Sequence, residues 1–354
     1  MRSPTILFMI LLLPMSFVAA ISFGAIPISF SDTFSALTSA LARISLFDST
    51  LYENKSLNDV TRAELVLAQI RIPRAILAAL VGALLGICGA TSQGLFRNPL
   101  ADPSLIGVTA GASAGAAITI FFAANLAALE GLTGIGMISM GAFIGGGLAV
   151  VLVYKLATSN SGTSVATMLL AGIAITAIAA GLVSLIEFFA NNEMLRRISL
   201  WRMGGLDGAN YDRVLVAGIG AVIIIGLLPR FSTALNALLL GESEARHLGI
   251  AVQKVKAQII VLIALGVATS VALAGTIAFV GLVVPHIMRL LCGPNHKILL
   301  PMSALGGAIL LLLSDTLART LFAPIELPVG LVTAFLGAPF FISLLRRRHD
   351  FGMN

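Results

Sequence analysis

Charge is what this sequence has least of: only 11% of its 354 residues are Asp, Glu, Lys or Arg, and aromatic residues add another 6%. A soluble domain normally carries about 25% charged residues, so this chain lacks the means to cover itself in water. Its 58% apolar content and 35 glycines are those of an integral membrane protein. The net charge of +6 does not point to nucleic acid, because the basic residues are scattered between apolar runs with no interleaved aromatics. Cysteine is scarce too. Cys88 and Cys292 each lie in or beside an apolar run, offering neither a disulfide framework nor a CxxC metal site, and read as small buried hydrophobes.

Other absences concern energy. No G-x-x-x-x-G-K-[ST] loop occurs, so the chain does not itself cradle ATP in the usual way. A TVGYG-like filter is missing, which removes the simplest channel reading. No ionisable residue falls at the middle of an apolar run: Glu187, Arg289 and Asp315 lie toward the ends of theirs. A proton- or ion-coupled secondary transporter usually keeps such a residue at the bilayer centre, so that mechanism stands only as a remote alternative. Uphill transport would need energy from another polypeptide.

What the chain does have is ten apolar runs. A hydrocarbon core of about 30 Å takes roughly 20 residues of helix, and runs near that length occupy 5–28, 72–95, 104–124, 132–154, 165–188, 213–229, 256–274, 277–292, 298–318 and 328–345. Together they predict one all-α transmembrane domain over 1–354. Residues 29–71 hold Asp32, Asp48, Glu53, Lys55, Asp59 and Glu64 without a long apolar run, and read as a water-exposed outer connection. The first run follows Arg2 and passes Val18-Ala19-Ala20, as a secretory signal would. At about 24 residues it is long for a signal, and an uncleaved helix is expected. Ten crossings put both termini on one side, and Arg346-Arg347-Arg348 after the last run assign that side to the cytoplasm. Gly82, Gly86, Ala90 and Gly94 recur every four residues, as do Gly107, Gly111 and Gly115. Such smooth helix faces let backbones approach closely in lipid.

Three polar features interrupt the apolar pattern. RNPLADPSLIG (97–107) contains Pro99 and Pro103, which block helix continuation, while Asn98 and Asp102 can cap the groups that the break exposes. The expected cytoplasmic connection 230–255 contains GESEARHLGI (241–250), a short helix ended by glycine and too short and polar to cross a membrane. Arg71 and Arg74 stand three apart around Pro73, sharing a helix face, and Arg319 ends the ninth run on the same expected outer side.

Six blocks in order carry a resemblance: RIPR (71–74), GLFRNPLADPSLIGVTAGA (94–112), GESEARHLGI, FVGLVVPHIMRLLCG (279–293), LSDTLAR (313–319) and ELPVGLVTAFLGAPFF (326–341). They closely resemble the FecCD-type permease family of ABC importers, which carries ferric siderophores, haem or vitamin B12; the match weakens before residue 71. The resemblance implies a type II importer permease with ten transmembrane helices in the bacterial inner membrane. The partners it implies are a second permease copy, two cytoplasmic ATP-binding subunits and a periplasmic substrate-binding protein. No catalytic residue, metal or cofactor is expected on this chain itself, ATP and Mg belonging to the partner subunits. By the same resemblance, Arg71, Arg74 and Arg319 dock the binding protein. Gly241, Glu242, Ala245, Leu248 and Gly249 form the coupling helix, Ala245, Leu248 and Gly249 supplying contact. Asn98 and Leu100 form one cytoplasmic gate, Ser164 and Val165 the other. His286 lies in a motif that the family keeps regardless of cargo, so it reads as structural. The expected cargo is an iron chelate, with vitamin B12 as the alternative.

Overall fold

Each of the ten apolar runs contains a helix in a computed structural model that describes residues 3–24, 65–125, 135–160 and 162–350. In chain order they and three shorter neighbours are α1 (Ser3–Ser22), α2 (Ile72–Leu95), α3 (Val108–Asn125), α4 (Ile135–Ala157) and α5 (Val165–Phe189). There follow α6 (Asn192–Met203), α7 (Tyr211–Leu227), α8 (Ser232–Leu240), α9 (Glu242–His247) and α10 (Val252–Ala274). The last three are α11 (Val280–Cys292), α12 (His296–Thr320) and α13 (Val329–Asp350). A two-residue hairpin, β1 (Thr158–Ser159) with β2 (Gly162–Thr163), joins α4 to α5. Among the described residues, seven helices are long and apolar enough to span a membrane, and three shorter apolar ones accompany them. Most of the connection expected over 29–71 lies outside the described residues; its last turn, Leu67–Arg71, is a π-helix that leads into α2.

The bundle is built around α2, α10 and α12, which are mostly buried, while α1, α4, α5 and α7 keep most of their surface on the outside. In lipid, close packing and not hydrophobicity holds helices together, and glycine supplies the closeness. A Cβ on Gly82 would collide with the carbonyl of Gly307, one on Gly86 with that of Ser303, and one on Gly89 with Gly281. The same device joins α3 to α4, where Gly111 and Gly115 oppose Gly145 and Gly141.

Two spans begin later than the apolar pattern suggests. Asp102 Oδ1 accepts from the Ser104 amide at 2.8 Å and starts a separate 3₁₀ turn, Pro103–Ile106. Gly107 at φ 79° closes that turn, and α3 starts only at Val108. Likewise α11 starts at Val280, after an unwound stretch, 275–279, that includes Gly275 at φ 66° and Phe279 at φ 68°. At 1.5 Å per residue α11 is only about 20 Å long, so this stretch completes the crossing. Non-helical backbone survives at such depth only against protein or water. Here the stretch lies against protein: a Cβ on Gly275 would strike the carbonyl of Trp201, and one on Gly204 that of Thr276. Helix α6 has no counterpart among the ten runs. Asn191 caps it, Met194 and Ile198 are buried, and Arg196, Arg197 and Arg202 face outward.

Candidate functional site

Helix α1 ends at Ser22, and the last carbonyls of any helix need partners from elsewhere. Two arginines provide them. Arg71 Nη1 donates to the carbonyls of Ile21 and Ser22, both at 2.8 Å, while Arg319 reaches those of Ala20 at 2.7 Å and Phe23 at 3.2 Å. Cations at a helix C-terminus are also favoured by the backbone dipole. Arg319 Nε further pairs with Asp315 at 3.0 Å, one turn back along α12, and Asp315 takes Arg74 Nε at 2.9 Å on its other oxygen. Arg74 Nη1 then reaches Glu326 at 2.7 Å.

The three arginines expected to dock a partner thus stand together, but they point inward at 4–6% exposure. Their partners belong to this chain: two carboxylates and the end of α1. This departs from the expectation of open docking residues, and the reason is energetic. Three guanidiniums packed at one helix end are tolerable only when neutralised on the spot. Of the five charged side chains named here, Glu326 is the most open, its side chain 42% exposed.

The opposite end of the bundle carries α9. Gly241 at φ 128° turns the chain into it, and Gly249 at φ 80° closes it with bonds from the Gly249 amide to Arg246 and from the Ile250 amide to Ala245. Ala245 is fully buried against Ala237, Leu238 and Val252. This corrects the reading of Ala245 as a contact residue: it anchors the helix from within. Leu248 is 65% exposed, with Ser243, Glu244, Arg246, His247 and Gly249 exposed around it.

Beneath α9 lies Lys256, in the second turn of α10 and 2% exposed. Its ammonium pairs with Glu242, the first residue of α9, and donates to the carbonyl of Thr163 at 3.0 Å. The amide of Thr163 donates to Gln253 Oε1 at 2.8 Å. Next in sequence, Ser164 accepts from the Thr167 amide at 3.3 Å and caps α5, whose first residue is Val165. No local pattern in the sequence marks Lys256; its proximity to Glu242 and Thr163 exists only in the fold.

The loop after α2 turns on Arg97, at φ 51°, where a helix that ends in a left-handed residue usually places a glycine. The Arg97 amide donates to Gly94 at 3.3 Å and that of Asn98 to Gln93 at 3.1 Å, closing the helix end. Asn98 Oδ1 accepts from the Leu100 amide at 3.0 Å, as its capping role predicts. Asn98 is exposed and Leu100 half-buried. Further on, a Cβ on Gly172 of α5 would strike the carbonyl of Leu105. The 3₁₀ turn that follows Asn98 and Leu100 therefore rests on α5, about 10 Å along its axis from Ser164 and Val165 at 1.5 Å per residue.

A family model described as the FecCD transport family matches residues 10–347. This chain belongs to that family. Among its relatives the FecCD permease is 42% identical over 318 residues to the hemin transport system permease protein HmuU of Yersinia pestis, covering 89% of this chain and 92% of that one. It is 41% identical over 286 residues to the cobalamin import system permease protein BtuC of Halobacterium salinarum, covering 81% and 74%. A solved inward-facing structure of a metal-chelate type ABC transporter superposes with a TM-score of 0.81 at 31% identity, covering 97% of this chain and 99% of that one. The FecCD permease is accordingly a multi-pass membrane subunit of a bacterial ABC importer and not an enzyme. Such permeases work with ATPase subunits and substrate-binding proteins.

Two more polar contacts of this permease escaped the sequence reading. Arg289 of α11 donates to Gln93 of α2 at 2.7 Å, and Gln93 donates to the Leu282 carbonyl at 3.2 Å. His286, one turn before Arg289, lies edge-on to Phe340 of α13 with ring centroids 6.1 Å apart.

Proposed function

We propose that this FecCD permease imports an iron chelate, a ferric siderophore or haem, from periplasm to cytoplasm as a homodimer in the bacterial inner membrane. In this reading α9 and both termini face the cytoplasm. Two ATP-binding subunits, which hold the ATP and Mg, engage α9, and a periplasmic binding protein docks at the end that carries Arg71, Arg74 and Arg319. Closure of the ATPases moves α9, and the segments at Asn98 and Leu100 and at Ser164 and Val165 open or shut the inner side. No cofactor or metal is held by this chain in the proposal.

The observation that carries the reading is α9 itself: a one-and-a-half-turn helix anchored by buried Ala245, closed by glycines at both ends, and presenting Leu248 to the outside. An apolar side chain held on so short and rigid a support loses little entropy when a partner covers it. The test is delivery of haem into proteoliposomes containing the permease, its ATPase and its binding protein. Wild type is expected to deliver haem only with ATP. Leu248→Asp is expected to weaken ATPase association by about 30-fold, the worth of one interface hot spot, and to abolish delivery. Haem accumulation in vesicles that lack the ATPase would overturn the proposal. Vitamin B12 is the second reading, favoured by the cobalamin relative; preferential delivery of cobalamin in the same vesicles would establish it.

Docking on the buried arginines requires an exchange of partners. A carboxylate on the binding protein would compete for Arg74 with Glu326, the exposed end of the cluster. Glu326→Gln removes the competitor and is expected to tighten binding-protein association by about fivefold, the scale of one half-exposed ion pair. Surface plasmon resonance on nanodisc-held permease reads this directly, and unchanged or weaker binding would count against docking at Arg74.

A further inference from the structure

A lysine is almost never fully buried unless something pays for it, and the partners of Lys256 are unusual in belonging to two separate devices. One is Glu242, at the start of α9; the other is the carbonyl of Thr163, one residue before the cap of α5. Thr163 is held on both faces of its chain, by Lys256 at its carbonyl and by Gln253 at its amide. The hairpin that carries it has no slack. Thr158 pairs with Thr163 and Ser159 with Gly162, and the Thr158 and Thr163 hydroxyls lie 3.0 Å apart. A Cβ on Gly162, at φ 113°, would overlap the amide of Gln253, so the hairpin is pressed directly on α10. The Ser164 amide closes the arrangement by donating to Ala157, the last residue of α4, at 3.0 Å.

From this we infer that Lys256 is a positioning residue for transport, a rigid strut that transmits displacement of α9 to the Ser164–Val165 segment. The inference rests on the reading of α9 as the ATPase-binding helix. If stability alone were at stake, an apolar side chain of similar volume would serve as well or better, because a buried ion pair rarely repays its desolvation. What the ammonium adds is direction: its donors fix Glu242 and Thr163 at set distances from one nitrogen. Apolar contacts slide, whereas a hydrogen-bonded bridge moves as one body. A push on α9 therefore arrives at the N-terminus of α5 before the bilayer-spanning part of any helix has to bend.

Lys256→Met keeps the length and apolar stem of the side chain while removing the bridge. In the assembled importer, ATP hydrolysis is expected to stay within about twofold of wild type while haem delivered per ATP falls about tenfold, a coupling loss of ordinary allosteric size. Glu242→Gln, at the partly exposed partner, is expected to lower the same ratio. Spin labels on the exposed Ser159 and Ser243 supply a readout that a purely structural role would not move. Their separation is expected to stay constant through the nucleotide cycle in wild type and to become nucleotide-dependent in Lys256→Met. A wild-type ratio of haem to ATP in both variants, or label distances identical to wild type in Lys256→Met, would overturn the inference. Failure of the underlying reading looks different: Leu248→Asp would then retain the ATPase at wild-type strength.

Discussion

Valine at Gly307 is expected to leave no folded permease. The Cβ of any residue there would overlap the carbonyl oxygen of Gly82, and the Cα of Gly86 stands only 3.2 Å away. The obstruction is backbone on a central helix, which has no rotamer to escape into. Separating α2 from α12 would also strip the contacts at Gly86 and Ser303, so one added side chain unzips the pair along several turns. Yield of monodisperse protein after detergent extraction should fall to background. The fully buried Cys88 and nearly buried Cys292 should become reactive toward a thiol-directed fluorophore in whatever protein is recovered. Gly147→Ala is the matched control. Nothing lies within 4 Å of a Cβ at Gly147, and alanine there is expected to be neutral or to stabilise α4 by about 0.5–1 kcal/mol. Normal yield of Gly307→Val would mean that α2 and α12 are not packed backbone to backbone.

The second large effect belongs to Asp315→Asn. The aspartate is buried between Arg74 and Arg319, and the amide has the same shape without the charge. Two guanidiniums would then share only the half-exposed Glu326 and the carbonyls at the end of α1. Removing one member of a buried ionic cluster typically costs about 3–5 kcal/mol, because the remaining charges stay where they are. Unfolding in detergent, followed by labelling of Cys88 and Cys292 on heating, should occur at a clearly lower temperature than in wild type. Arg319→Met is expected to be milder than Asp315→Asn, since it takes away one positive charge and leaves Asp315 paired with Arg74. Equal stability of wild type and Asp315→Asn would show that the cluster is held by something other than charge.

The spans were legible because lipid imposes a single simple demand, about 20 apolar residues per crossing; among the described residues seven helices meet it and three shorter apolar ones accompany them. The four-residue glycine spacing also carried through, as Gly82 and Gly86 do face α12. Where the pattern misled, a local backbone preference won over hydropathy. Pro103 and the Asp102 cap set a separate turn ahead of α3, and the left-handed Gly275 and Phe279 hold the chain unwound before α11. Helix α6 was missed because its arginines break any apolar run, although the Asn191 cap was there to be read. The candidate site was less legible than the fold. Arg71, Arg74 and Arg319 do stand together and a short helix does follow Gly241, yet the partners of each side chain were hidden. Arg71 reaches back 50 positions and Arg319 nearly 300 to the same helix end, and no local pattern announces such a pairing. Lys256 is the sharper case: a lysine beside an apolar run looks like a membrane anchor until Glu242 and Thr163 are seen on either side of it.

Arg97 gives the connections that lead into α3 and α5 an asymmetry. An L-residue with a full side chain in the left-handed basin sits roughly 1–2 kcal/mol above its relaxed geometry, so the segment running on to Asn98 and Leu100 is a cocked spring, while the hairpin side, turned by Gly162, holds no such tension. In the proposed transport cycle, the first segment is expected to yield before the second.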